Sequence, residues 1–367
     1  MMFPTGTAPP LVVVILAFLA WLVSGAWQNI GNIVRQSWFW PVIPFFVLPW
    51  VGLAYSQNLD IGMDYAMKTK YWALLFITAG ICMDGTRTLL LVGALWLGLF
   101  SGAILAVAQL LGVIPLLKPG FPGFGIVHTF LSMYLIIGIL MAGFYFRTIR
   151  DVKVKAIILV LIFLFVIHLA LLKGRAGYLI FALMAPVVAG DLMHRFSLKM
   201  KSAAAIALVL CLALSPVVRD TVIQTIDTLQ TNKEKALKGE DIAEMPRFYF
   251  VKQSLDAMRQ NPIMGIGTGS ITEFTRPHGH VVNHPHNTFL YMGVSFGLPG
   301  ILAYFWLFWV MCKISWGSRH TPLGYFVLST CVVLFLGGMF DTHLLNTGTL
   351  LMFSLTYGFL GQLAKPV

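Results

Sequence analysis

The residues able to do polar chemistry are concentrated in a few places along this 367-residue chain. The stretch from Arg247 to Pro299 carries Pro246-Arg247-Phe248-Tyr249-Phe250, then Gly265-Ile266-Gly267-Thr268-Gly269, then His278-Gly279-His280 and His284-Pro285-His286-Asn287. Histidine titrates near neutrality and is suited to moving a proton. Short-spaced histidines are also common zinc ligands. No cysteine joins these four, and the nearest acid in sequence is Glu273, so no metal is assigned. His286 stands out because His286-Asn287 leads straight into a long apolar run, placing it at a helix entrance on a membrane surface. Gly265, Gly267 and Gly269 superficially look like a nucleotide loop, but no strand precedes them and no Lys-Ser/Thr follows. They are expected to form a turn that lets the backbone approach another surface.

Two further features lie outside that stretch. Lys173-Gly174-Arg175 places two cations in a tight turn between apolar runs. Such a turn snorkels to lipid phosphate or cradles a diphosphate. Asp341 is the one acid after Glu273 and ends an apolar run. It is either a solvated helix end or a carboxylate that orients a histidine or arginine.

The elements that must position these residues are membrane spans. The chain is 58% hydrophobic and 11% charged, with a mean hydropathy of +0.83, against roughly 25% charged in a soluble domain. Apolar runs fall at residues 11–27, 38–55, 70–83, 88–113, 126–146, 156–172, 178–190, 203–218, 288–312, 323–340 and 347–360. They are continuously apolar, which excludes the alternation of a porin-type barrel. The expected fold is an all-α polytopic membrane protein of about 11–12 transmembrane helices. Cys82, Cys211, Cys312 and Cys331 lie within or at the ends of these runs and read as buried hydrophobes.

The formal charge of +11 does not indicate nucleic-acid binding. The clusters Arg147/Arg150/Lys153/Lys155, Arg195/Lys199/Lys201 and Lys313/Arg319 are small, lie in alternate connections and mark the cytoplasmic side. Arg175, the long connection 218–285 and Asp341 then face the opposite side. That connection holds eight of the chain's 14 acids and is expected to form two helices, Thr221 to Lys238 and Pro246 to Gln260. The second would carry Phe248, Val251, Leu255 and Met258 on one face. The expected organisation is residues 1–217 as spans one to eight, 218–285 as a loop or cap, and 286–367 as the C-terminal spans.

Taken together, the Arg175 turn, Pro246-Arg247-Phe248, Pro262 to Gly269, His286-Asn287-x-x-Leu290 and Gly297-x-x-Gly300 resemble the O-antigen ligase family and its polymerase relatives. The resemblance implies a GT-C-like glycosyltransferase of the Gram-negative inner membrane, with its active site facing the periplasm. Its partners would be an undecaprenyl-diphosphate-linked O-antigen as donor, a lipid A-core oligosaccharide as acceptor, and membrane lipids. It needs no cofactor. Its essential arginines fall on Arg175 and Arg247 and its histidine on His286, with Lys173, Asn287, His284, Asp341, Tyr249 and Arg276 expected to support the diphosphate. A diphosphate is already a good leaving group, so arginines that hold developing charge and a histidine that activates a sugar hydroxyl suffice, with inversion. A related polymerase or a protein O-oligosaccharyltransferase would share the lipid-linked donor, the arginines and the loop, and differ in the acceptor. A lipid-linked anion transporter would instead place charges near the bilayer midplane and show repeat-related broken helices.

Overall fold

The computed structural model describes residues 8–237, 246–276 and 283–364, with side chains for all of these except 8–11, 13, 229, 232–237 and 246–249. Among the described residues every regular element is helical. Five helices are long and apolar enough to cross a membrane: Gly85–Leu110, His128–Thr148, Val152–Leu171, Arg175–Leu192 and Thr288–Gly317. The number reaches seven if two pairs bent by 84° each form one span. The protein is therefore a multi-pass, all-α membrane protein.

Several expected spans are built from shorter pieces. The run 38–55 contains Pro41, Pro44 and Pro49, which remove backbone donors and clash with the preceding turn. It forms one apolar helix, Trp40–Tyr55, in which 3₁₀ turns at Trp40–Val42 and Gly52–Tyr55 flank an α segment, Ile43–Val51. The run 70–83 is a 3₁₀ stretch, Lys68–Leu74, followed by Leu75–Ala79. Thr347–Gly358 has only 12 residues. Continuous hydropathy does not distinguish one long helix from several short ones.

The chain forms two compact units, the first mainly residues 83–226 and 318–333, the second mainly 14–82, 227–317 and 334–364. In the first, His128–Thr148 is central: 89% of its apolar window is buried, against 33% for Gly85–Leu110 and 39% for Val152–Leu171. Small residues allow the close approach. A Cβ on Gly177 would lie 2.5 Å from Ser132 Cβ, and one on Gly138 would lie 2.6 Å from Leu99 Cδ1. Asp84 and Asp151 cap their helices by accepting from Arg87 N at 2.6 Å and Lys153 N at 2.7 Å. Arg147, expected as a loop cation, instead pairs with the buried Asp191 at 2.8 Å, and Tyr325 Oη donates to the other Asp191 oxygen at 2.8 Å. None of the four cysteines is in a disulfide, but only Cys331 is buried; Cys312 is half-buried, and Cys82 and Cys211 are exposed. The expectation of burial is corrected for these three.

The second unit must satisfy the polar backbone that its broken helices leave open. Side chains of the Thr347–Gly358 helix supply donors: Ser354 Oγ to Tyr71 O and Tyr357 Oη to Trp38 O, each at 2.8 Å. Thr288–Gly317 is itself interrupted at Gly297 (φ 61°, ψ −146°), two residues before Pro299. The glycine-rich stretch fills this break. Ile266 N donates to Val294 O at 2.8 Å, Gly267 N to Ser295 O at 3.1 Å and Leu298 N to Pro262 O at 2.9 Å. Gly265, Gly267 and Gly269 all have positive φ. This is the close backbone approach expected of them. A Cβ on Gly297 would lie 2.4 Å from Ile263 O. Gly297→Ala should therefore cost on the order of 3 kcal/mol. Thermal melting in detergent checks this, with Gly93→Ala as a near-neutral control because nothing lies within 4 Å of it.

The Pro246–Gln260 helix has the expected bounds, but its buried face differs from the expected one. Val251 and Leu255 are exposed, whereas Gln253, Ser254 and Ala257 are buried. The helix packs on Thr288–Gly317, where Gly293 comes so close that a Cβ there would meet Met258 Cε at 2.6 Å. Met258 therefore packs as expected, but beside the small Ser254 and Ala257 rather than Val251 and Leu255, so apolar periodicity identified only part of the face.

Candidate functional site

Asn287 and Thr288 open the Thr288–Gly317 helix and also fasten it to residues 339–343. Asn287 Oδ1 caps the helix by accepting from Leu290 N at 2.9 Å, while its Nδ2 donates to Met339 O at 2.8 Å. Thr288 Oγ1 donates to Asp341 O at 2.9 Å and accepts from His343 N at 3.1 Å. This stitching brings Asp341 beside His286, 55 residues away in sequence, with His286 Nδ1 3.4 Å from Asp341 Oδ1. Thr342 N donates to the same carboxylate oxygen at 2.8 Å and holds it in place.

His286 has φ 50°, the only positive φ at a non-glycine position among the described residues. Such a conformation is sparsely populated and is retained where surrounding structure imposes it. The ring is stacked on Phe250 (centroids 5.5 Å, planes 21° apart) and lies 4.3 Å from the ring of His284. His284 Nδ1 is 3.1 Å from Thr342 Oγ1. The side chain of His286 is 40% exposed and that of Asp341 13%. With Nδ1 facing the carboxylate, Nε2 is the nitrogen left to receive a proton from a bound molecule. The 3.4 Å separation is long for a hydrogen bond, as in many active sites before substrate binds.

Burial pushes the His284 imidazole down to about 4, with His286 and Lys68 adding to the effect and Asp341 opposing it. Burial likewise pushes His343 down to about 4. Both rings are therefore neutral in the fold at pH 7. The unfolded imidazole, near 6.5, binds its proton first as pH falls, so the stability these rings contribute is present above about 6.5 and is lost on descending toward 4. The melting temperature in detergent should fall between pH 7 and pH 4.5. His343→Asn should remove a contribution on the order of 2–3 kcal/mol to that fall.

The remaining expected residues lie as follows. Lys173 and Arg175 are exposed on either side of Gly174, in the first unit, with Arg175 opening the Arg175–Leu192 helix. Gly174 backs onto His128, whose ring stacks on Phe121 at 5.6 Å, and Lys118 Nζ lies 4.6 Å over Phe121. Arg247 and Tyr249 fall in the first turn of the Pro246–Gln260 helix, but their side chains lie outside the described residues, as do His278 and His280 entirely. Arg276 pairs with Glu273 at 2.8 Å, and Asn58 Nδ2 donates to the same Glu273 oxygen at 2.8 Å. Sequence reasoning had no reason to single out Phe250, Thr342, Tyr65 or Lys68. Tyr65 Oη donates to Asn283 O at 2.9 Å, supporting the histidine loop. Asp341-Thr342-His343, a polar triplet ending an apolar run, was the one local signal.

One group of potential metal ligands lies close together among the described residues: His284, His286 and Asp341, each offering an atom within 4.8 Å of the others. Comparison with protein families matches residues 158–305 to the family described as O-antigen ligase, a span covering every expected site residue except Asp341. Comparison with curated proteins finds no match.

Proposed function

For a chain that carries an O-antigen ligase family domain over residues 158–305, we propose that it transfers O-antigen polysaccharide from undecaprenyl diphosphate to the lipid A-core oligosaccharide. The reaction takes place at the periplasmic face of the Gram-negative inner membrane, is inverting and needs no metal. The observation that carries this reading is the His286–Asp341 pair at a helix entrance of a multi-pass membrane protein, with Nδ1 toward the carboxylate and the His286 side chain 40% exposed.

The acceptor hydroxyl attacks the anomeric carbon of the donor and gives its proton to His286 Nε2. The bond from that carbon to the diphosphate oxygen breaks as the new glycosidic bond forms, and the configuration inverts. The lipid diphosphate leaves with its charge held by Arg175 and Arg247, whose planar guanidinia grip phosphate through two hydrogen bonds each. Asp341 keeps the Nδ1 proton on His286 and offsets the charge that develops on the ring. Lys173, Tyr249, Arg276, His284 and Asn287 support the donor around this core, in a GT-C-like architecture.

The acceptor decides between ligation and its relatives. Purified protein and lipid-linked glycan should be offered lipid A-core, a second glycan chain and a pilin-type peptide in competition. Transfer to lipid A-core is the expected result, and exclusive elongation of glycan or modification of peptide would move the chain to the polymerase or protein-glycosylating branch.

A further inference from the structure

We propose that His284, His286 and Asp341 form an inhibitory binding site for a zinc-type transition-metal dication; that such binding is inhibitory rests on the reading of His286 as the proton acceptor. On sequence alone no acid accompanied the histidines. The fold supplies one, because the stitching of 287–288 to 339–343 carries Asp341 to the histidine loop. Three donors, two imidazoles and a carboxylate, then lie within 4.8 Å of one another.

The His286–Asp341 pair has the spacing of a small tetrahedral ion's ligands, and His284 lies near enough to join it. Bonds of about 2.05 Å to zinc put neighbouring ligand atoms about 3.3 Å apart, and His286 Nδ1 lies 3.4 Å from Asp341 Oδ1. His284 Nδ1 is taken by Thr342 Oγ1 at 3.1 Å, which leaves its Nε2 for the ion and fixes the ring in the manner of a histidine ligand held by an outer hydrogen bond. Buried Pro285 stiffens the link between the two rings. Exposure of 40% at His286 gives the ion a path in. Two imidazoles and a single carboxylate suit zinc, copper or nickel, and offer too few oxygens for calcium or magnesium.

Binding there disables the base. A metal between Nδ1 and Asp341 takes the Nδ1 lone pair, so the single proton of the neutral ring shifts from Nδ1 to Nε2. The nitrogen that should accept the acceptor's proton then has no lone pair, and Asp341 is engaged with the ion.

The test is zinc titration of the purified full chain in detergent, read by competition with a chromophoric chelator. Glycan transfer is assayed in parallel with Zn²⁺ or with Mg²⁺ at the same free concentration. One Zn²⁺ should bind per chain and suppress transfer, with Mg²⁺ doing neither. His284→Gln should weaken zinc binding at least tenfold, and whatever transfer that variant retains should need correspondingly more zinc to be suppressed. The X-ray absorption spectrum of zinc-loaded wild type, which depends on no variant folding, should show two imidazoles and one carboxylate. No binding to wild type, or loss of binding in a His278→Gln/His280→Gln variant with His284 and His286 intact, overturns the site. Zinc bound with the expected ligands but transfer unaffected overturns the inhibition and counts against His286 as the base. Zinc bound in a chain that transfers no glycan leaves the site standing and removes the proposed activity instead.

Discussion

His286→Gln should lower turnover by about 10²–10⁴-fold, the usual contribution of a positioned general base, while donor affinity is retained. Glutamine keeps a hydrogen-bonding group of similar reach but cannot take a proton. The substitution does not create a new backbone conflict, because position 286 already holds a side chain at φ 50°. A loss confined to donor binding, with turnover preserved, would make His286 a phosphate contact. Asp341→Asn should be milder, about 10–100-fold, as befits a group acting through another. Its amide presents a donor where Nδ1–H needs an acceptor and favours the wrong tautomer. Melting temperature separates this from a folding defect, since Asp341 also accepts from Thr342 N at 2.8 Å.

Arg175→Lys and Arg247→Lys should each reduce kcat by about 10²–10³-fold, the size seen when one donor to developing charge is removed. Lysine keeps the charge but loses the planar fork that grips a phosphate with two bonds. Transition-state stabilisation predicts a fall in kcat; a rise in KM alone would mean that the arginines bind donor and transition state equally. Arg276→Lys should be milder than either, because its guanidinium is already paired with Glu273 at 2.8 Å and its support of the donor is peripheral.

The all-α, multi-pass class was legible in the sequence, because long apolar runs leave few other folds. Charge in a hydrophobic chain is costly and stands out, so the Lys173–Arg175 turn and Asp341 could be singled out by their apolar surroundings, and His286 by its place at a helix entrance. The glycine stretch was legible because glycine is needed where backbones meet: all three have positive φ, with Gly265 against residues 294–296 at the break in the Thr288–Gly317 helix, Gly267 against Gly52 and Ser56, and Gly269 against Gly62. Hydropathy does not record where a helix bends, so the run 203–218 reads as one span, whereas the structure bends the chain by 84° between Leu198–Ala213 and the helix that starts at Pro216. Apolar periodicity identified only part of the packed face of Pro246–Gln260, which includes the small Ser254 and Ala257. Partners set by tertiary folding were not legible at all: Thr342 on His284, and Asp191 on Arg147. The pairing of Asp341 with His286 lay between these cases, since both residues were suspected but only the fold brings them to 3.4 Å.

The most direct test is reconstitution of the purified chain in liposomes with undecaprenyl-diphosphate-linked glycan and lipid A-core, in the presence of a chelator. The account predicts glycan on lipid A-core with the anomeric configuration opposite to the donor's and release of lipid diphosphate in equal amount. Donor that crosses the bilayer unconsumed, a linkage of retained configuration, or transfer that stops when metal is chelated would contradict it.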